Sequence, residues 1–420
     1  MVRQMLTGNA SAAWGVRLAE VDYIPAFPIT PQTEIIESLA KWIGEGEMDA
    51  RFVTMDSEHS MITAAGAASA TGVRVFTATS SQGLLYGFEM LYTVAGWRIP
   101  LVMVNVSRGL SAPITLEADH NDILAARDCG FLQIHCETCQ EVLDSILMAY
   151  RIAEDERILL PVMVNMDGFQ LSFTREPVEI PDIENVRRFL PAYQPRHAFF
   201  NASQPMAQGI AVLGGPVYSY FKYQMHLASR KGLEVYKEVA GEFEEVFGRR
   251  HDTVEEYMTD DADYLLIMTN SFSTLGKAAV KRARENGIKA GLLRLRLIRP
   301  FPDEDIRKAL RGRKGVAVID QNISVGKGGI LYQEIAGALY NEKERPLLLS
   351  FIGGLGGKNI SPGEFEFIFD SIIRAAEIGE VQEPTLLYTA AELKEMERLK
   401  KIAGKTFDPQ ITQITQITQI

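Results

Sequence analysis

The chain has 420 residues, 46% hydrophobic and 23% charged, with a formal net charge of −11. That length exceeds one ordinary core and suits two or three domains, and the acidic balance excludes the positive field that a nucleic-acid or anionic-membrane surface requires. No apolar run is long enough to span a bilayer, and MVRQMLTGNASAAWG lacks the apolar stretch and cleavage site of a secretion signal, so a cytoplasmic enzyme or enzyme subunit is expected.

A short strand, DYIPA, leads into FPITPQTE (27 to 34) and a helix over 33 to 44. Pro28 and Pro31 fix their own φ and bias Phe27 and Thr30 away from helix, which holds the Thr30 hydroxyl at a strand's carboxyl end. The run RFVTM (51 to 55) then enters Asp56, Ser57, Glu58 and His59, ahead of a helix over 59 to 71 rich in alanine and glycine, which allows close packing. Read alone, Glu58 is an ordinary acid at a helix start. Strands follow at 73 to 80 and 99 to 106, with a helix over 84 to 96 between them. Arg108 comes directly after the second of these and opens a long loop. A guanidinium there suits bidentate capture of a carboxylate, with an ion pair to Glu117 or Asp119 as the structural alternative.

Cys136 and Cys139 form a CxxC just before a helix over 138 to 154, but no second pair completes a metal site, and Cys129 is the only other cysteine. They read as small residues where a strand enters a helix, in a chain with no disulfide framework and no iron–sulfur motif. A strand over 160 to 166 closes the set. Strand and helix in alternation imply parallel strands with helices on both faces and ligands at the strands' carboxyl ends.

Residues 171 to 256 read as a linker rich in proline and charge, carrying one amphipathic helix over 223 to 249. A second, smaller α/β domain over 257 to 380 has strands at 264 to 270, 290 to 298, 315 to 321 and 346 to 354, again in parallel order, with helices at 273 to 286, 303 to 311, 329 to 340 and 362 to 376. The extension over 381 to 420 ends in QITQITQITQI, whose three-residue period fits neither helix nor simple strand.

In this order, FPITPQTE, DSEH with its Ala/Gly-rich helix, TSSQG, and VSRGLS with DH and AAR downstream resemble the alpha subunit of the thiamine-diphosphate-dependent 2-oxoacid:ferredoxin oxidoreductases, whose best-known member acts on pyruvate. LRLIRPFP and VIDQN resemble the transketolase C-terminal-like domain that follows in that family, and the resemblance covers about residues 8 to 375. It implies a pyrimidine-type thiamine-diphosphate domain over 1 to 170 and the smaller domain behind it. The implied reaction is the coenzyme A-dependent oxidative decarboxylation of a 2-oxoacid, foremost pyruvate, to acyl-CoA and carbon dioxide.

By residue-for-residue match, the resemblance places Glu58 at the cofactor's pyrimidine N1′, where a carboxyl group stabilises the imino tautomer. Thr30 falls near the substrate oxygens and the aminopyrimidine, with Pro28 and Ile29 beside the cofactor, and Arg108 falls on the substrate carboxylate. No metal-binding GDG occurs, and MDG at 166 to 168 lacks the first glycine. The resemblance therefore implies a beta subunit that holds the diphosphate and Mg²⁺. It also implies gamma and ferredoxin-like delta subunits whose 4Fe–4S clusters pass electrons to ferredoxin.

Two departures bear on the substrate. GNAS (8 to 11) has Ala10 where the family has an acid, and the loop APITLEADH carries Leu116 and Glu117 in place of the pattern common in relatives. A branched or aryl 2-oxoacid such as phenylglyoxylate, with NAD as final acceptor, is the alternative reading. A reading of another class is a non-catalytic nucleotide-binding or scaffold subunit, supported by SFIGGLGGKN (350 to 359) and NISVGKGG (322 to 329), although neither follows GxGxxG or a P-loop.

Overall fold

The computed structural model describes residues 2–195 and 199–402. The QIT repeat lies outside the described residues. The central strands of the first half are Phe76–Thr79, Val102–Ser107, Leu132–His135 and Val162–Asp167, and every residue in them is buried. Burial on both faces explains why Phe76–Thr79, Val102–Ser107 and Val162–Asp167 lie in largely apolar runs rather than alternating ones. They pair in parallel, with Val102 opposite Phe76 and Val162, and Leu132 also opposite Val162. The parallel pair Tyr23–Ala26 and Arg51–Thr54 lies beyond Phe76–Thr79, joined through a bridge between Tyr23 and Val75. Because these strands run the same way, the loops carrying Thr30, Glu58, Gln82 and Arg108 all emerge on one side.

Several elements differ from the sequence expectation. Val2–Thr7 forms an antiparallel pair with Arg175–Ile180, and the helix Gly8–Leu18 follows, capped by the Thr7 hydroxyl accepting from the Ala10 amide at 3.1 Å. Val2–Thr7 is largely exposed and so lacks an apolar signature, while Leu132–His135 is too short to carry one. The expected helix over 84 to 96 is two helices, Ser81–Tyr86 and Phe88–Gly96, meeting at Gly87. A Cβ at Gly87 would lie 2.4 Å from Ile62 Cδ1. The helix expected to start at 223 begins at Gly215 and is more than a connector: Val235, Tyr236, Val239, Ala240, Phe243 and Phe247 belong to the first core.

The second sheet has the order Thr385–Leu386, Leu347–Ile352, Gly315–Asp320, Tyr264–Thr269, Ala290–Leu295, Val254–Tyr257, all parallel except the last. The run 290 to 298 is divided. Ala290–Leu295 stays in this sheet, whereas Leu297–Arg299 crosses to pair antiparallel with Leu132–His135 in the first.

Chain order reverses about Tyr264–Thr269, and ligands of open α/β sheets collect at the crevice beside such a strand's carboxyl end. Here the first domain fills it. The His120 amide donates to Gln321 O at 2.8 Å, and its ring Nε2 meets Asp167 Oδ1 at 2.7 Å. Asp167 Oδ2 accepts from the Ser271 amide at 2.9 Å and hydroxyl at 2.5 Å, and His135 Nδ1 meets Asn270 Oδ1 at 2.5 Å. The glycine turn that suggested nucleotide binding also serves docking. Gly357 N donates to Ala118 O at 2.7 Å, and a Cβ on Gly357 would lie 2.6 Å from Glu117 Cβ.

An ion network reinforces the junction. Arg294 is fully buried, its Nη1 and Nη2 donating to Glu141 at 3.0 and 2.7 Å and its Nε to Glu255 at 2.7 Å. Lys277 lies 2.6 Å from both Glu137 and Glu255, and Arg296 also pairs with Glu141. Burial opposes ionisation of Glu141, but the Arg294 and Arg296 guanidiniums outweigh it and hold the carboxyl well below the usual range. The oxygens of Glu137, Glu141 and Glu255 lie within 4.8 Å of one another, a spacing that suits a metal ion, yet two guanidiniums and an ammonium already compensate them.

Candidate active site

The proline loop is held by its backbone. Gln32 N donates to Ile29 O at 3.0 Å, Gln32 Nε2 to Phe27 O at 2.9 Å, and Asn9 Nδ2 to Pro31 O at 2.9 Å. Thr30 and Pro28 are exposed on this loop and Ile29 is half-buried.

Glu58 begins the helix Glu58–Ser69, whose cap is the Ser57 hydroxyl accepting from the Ser60 amide at 3.2 Å. A polar cap followed by an acid in the first turn is what a helix N-terminus favours. The Glu58 side chain turns inward and is only 5% exposed. It lies against Gly83, where a Cβ would come within 2.4 Å of Oε1, so any larger residue there would displace the carboxyl group. Burial raises the Glu58 pKa above the ordinary value, opposed by its own backbone amide and by the charge of Arg108.

Arg108 is 7% exposed at the end of Val102–Ser107. Its Nη1 donates to the carbonyl of Thr30 at 2.7 Å and its Nη2 to Gln82 Oε1 at 2.5 Å. Nε is buried with no hydrogen-bond partner among the described residues. Burial lowers the Arg108 pKa, while Asp122 and Glu58 act against that. Thr30, Glu58 and Arg108 therefore meet in one place, with Arg108 bridging the loop of one to the charge of the other. The alternative ion pair is not made: among the described residues Arg108 has no salt bridge to Glu117 or Asp119.

A buried carboxylate organises the floor. Asp122 accepts from the amides of Arg108 (3.2 Å), Ser81 (3.0 Å) and Ile123 (2.7 Å), from Asn105 Nδ2 (3.1 Å), and from the Ser107 hydroxyl (3.0 Å). Burial raises its pKa, but five donors leave no acceptor demand unmet. Sequence reasoning missed Asn9, Gln82 and Asp122. A signal existed for Asp122: Asn105 and Ser107 share one face of an otherwise apolar buried strand, and two polar side chains there need a partner.

The three cysteines are buried and free. Burial pushes the thiols of Cys129 and Cys136 up to about 12 and raises that of Cys139, so none is a thiolate at neutral pH. Cys136 Sγ lies 3.4 Å from Ser145 Oγ, and Cys139 Sγ lies 3.3 Å from Thr174 O. Among the described residues, no helix is long and apolar enough to cross a membrane.

Parallel strands whose ends present a buried carboxyl, a guanidinium and a proline-flanked loop form the kind of crevice in which open α/β sheets collect ligands, and comparison with known proteins supplies the class. Residues 14–240 match the family described as pyruvate flavodoxin/ferredoxin oxidoreductase, thiamine diphosphate-binding, and residues 262–365 match pyruvate:ferredoxin oxidoreductase core domain II. The chain belongs to this family and is an oxidoreductase subunit of the 2-oxoacid:ferredoxin class. It is 44% identical over 384 residues to pyruvate synthase subunit PorA of Pyrococcus horikoshii, covering 91% of this chain and 97% of the relative. Ketoisovalerate oxidoreductase subunit VorA of Pyrococcus abyssi is 39% identical over 381 residues, 90% of this chain and 96% of that one. The fold is also similar to a 2-oxoglutarate:ferredoxin oxidoreductase from Magnetococcus marinus, with a TM-score of 0.69 at 19% identity. That match covers 89% of this chain, which spans 65% of the length of the solved one.

Proposed function

We propose that this chain is the alpha-type subunit of a complex that oxidises pyruvate, and that it contributes the pyrimidine half of a thiamine diphosphate site. A beta subunit holds the diphosphate and Mg²⁺. Gamma and delta subunits carry the 4Fe–4S clusters that feed ferredoxin, and coenzyme A takes the acyl group. The observation that carries the reading is the convergence of Thr30, Glu58 and Arg108 at one end of the parallel sheet, with the Glu58 carboxyl buried against Gly83.

The residues present fit the cofactor. A carboxyl group kept toward neutrality by burial donates or shares a proton with a pyrimidine nitrogen more readily than a solvated one does. When bound, thiamine diphosphate would supply a nucleophilic carbon for the 2-oxo group and an electron-poor ring to take up the electron pair left when carbon dioxide departs. Glu58 would hold the proton at the pyrimidine N1′. Arg108 meets the substrate carboxylate with its guanidinium, a cation held beside Glu58 at the end of its strand with no carboxylate of the described residues paired to it. The Thr30 hydroxyl, exposed at the mouth, meets a substrate oxygen while its carbonyl anchors Arg108.

Supporting pyruvate is the 44% identity to a pyruvate synthase subunit. A bulkier substrate is the second reading, favoured by the ketoisovalerate relative at 39% and by the exposed Ile114 and Leu116 in the loop after Arg108. Turnover of pyruvate, 2-oxoisovalerate and phenylglyoxylate by the purified complex decides between them. A pyruvate pocket rejects the larger acids, and equal kcat/KM for all three contradicts it. The chain purified alone is expected to bind thiamine diphosphate weakly by calorimetry, since the diphosphate contacts lie on the beta subunit. Tight binding to the isolated chain would overturn the shared site.

A further inference from the structure

Gln82 stands at the start of the helix Ser81–Tyr86, half-buried, and every polar atom of its side chain is engaged. Its Oε1 accepts from Arg108 Nη2 at 2.5 Å and from the Ser81 hydroxyl at 2.7 Å, and its Nε2 donates to Ser111 Oγ at 2.9 Å. The Ser81 hydroxyl and amide are tied in turn, the amide to Asp122 Oδ2 at 3.0 Å, which also takes the Arg108 amide at 3.2 Å. The two residues thus hang from one buried carboxylate.

The guanidinium has few other restraints. Apart from Gln82, its only hydrogen bond among the described residues goes from Nη1 to the carbonyl of Thr30 at 2.7 Å. Two acceptors on different nitrogens fix the plane of a guanidinium, whereas one leaves it free to swing about that bond. With both in place, Nε is left buried and unpartnered. Gln82 is neutral, so it orients the cation without cancelling its charge, which a glutamate would do. Its third bond reaches Ser111, on the loop whose composition departs from the family pattern.

We infer that Gln82 is the positioning residue for Arg108, setting the guanidinium to receive the substrate carboxylate and linking that clamp to the loop at Ser111. The inference rests on the reading of Arg108 as the carboxylate-binding group and goes beyond it by naming what aims it. Gln82 itself touches no reacting atom.

A double-mutant cycle on the reconstituted complex tests it, using Q82M, which keeps the side-chain length without polar atoms, alongside Q82A and R108Q. Q82M and Q82A are expected to raise KM for pyruvate about tenfold, with kcat changed less than about threefold and the apparent affinity for thiamine diphosphate unchanged. R108Q raises the same KM at least as far, and adding Q82M to R108Q raises it no further, because Gln82 then has nothing to aim. Q82E is expected to impair KM as much or more, since its charge competes with the substrate for Arg108. Independent, multiplicative effects of Q82M and R108Q would overturn the inference, as would unchanged KM in Q82M when R108Q alone raises it. Unchanged KM in R108Q removes the carboxylate reading itself, and the role of Gln82 with it. If Q82A loses folded complex, Q82M carries the measurement, with the thermal midpoint of each variant as the control for a merely structural role.

Discussion

Glu58→Gln is expected to lower kcat of the assembled complex by about 10²–10⁴-fold, the range associated with losing one positioned acid–base group. The amide keeps the shape of the side chain against Gly83 but cannot exchange a proton with the pyrimidine. Folding should survive. The Glu58 pKa is raised in the native state, so ionisation of that carboxyl weakens the fold as pH rises above its unfolded value, and an amide removes this liability. The variant should therefore equal or exceed the parent in thermal midpoint at neutral pH while failing in turnover. Parental turnover in Glu58→Gln, measured by pyruvate-dependent ferredoxin reduction, would remove Glu58 from the mechanism.

The second large effect concerns stability. Arg294→Met strips the central cation from Glu137, Glu141 and Glu255 and leaves two carboxylates, Glu137 and Glu141, largely buried, with Glu255 partly exposed. Breaking one side of a buried pair costs about 3–5 kcal/mol. Arg296 and Lys277 remain and temper the loss, so a shift at the lower end of that range is expected in chemical denaturation at neutral pH. The sign of its pH dependence follows from Glu141, whose pKa is held low in the parent. The stability this contributes is present above the unfolded value of 4.5 and is lost as pH falls toward the native one. The gap between parent and variant should accordingly narrow below about pH 4.5. A variant indistinguishable from the parent at neutral pH would show that the network contributes no net stability.

Much of the architecture was legible in the chain because buried parallel strands and amphipathic helices write strong patterns. The runs at 264 to 270 and 315 to 321 emerge as Tyr264–Thr269 and Gly315–Asp320, and the helix over 33 to 44 as Thr33–Gly44. What escaped was short, exposed or divided. Leu132–His135 has four residues, and Val2–Thr7 presents little apolar surface. In the run 290 to 298, periodicity is blind to the break at Arg296, where the chain leaves one sheet for the other.

The site shows the same division. Thr30, Glu58 and Arg108 each follow an apolar strand at the point where such sheets offer ligands, but residue type alone left each an ordinary structural reading, and it was the resemblance to a family that singled them out. The supporting groups could not. Gln82, Asp122 and Asn9 act through hydrogen bonds to residues 14 to 41 positions away, and no local pattern encodes a partner at that distance.

The amino-acid order by itself determined the alternating elements, and with them the single side of the sheet on which the hydroxyl, the acid and the guanidinium had to appear. Those are consequences of side-chain periodicity and strand direction, which neighbouring residues settle among themselves. Only the folded molecule decided which way Arg108 points, that His120 and Asp167 plug the second domain's crevice, and that Glu141 is matched by Arg294. Each depends on groups far apart in the chain competing for one buried volume, where an unpaired charge or donor is too costly to leave.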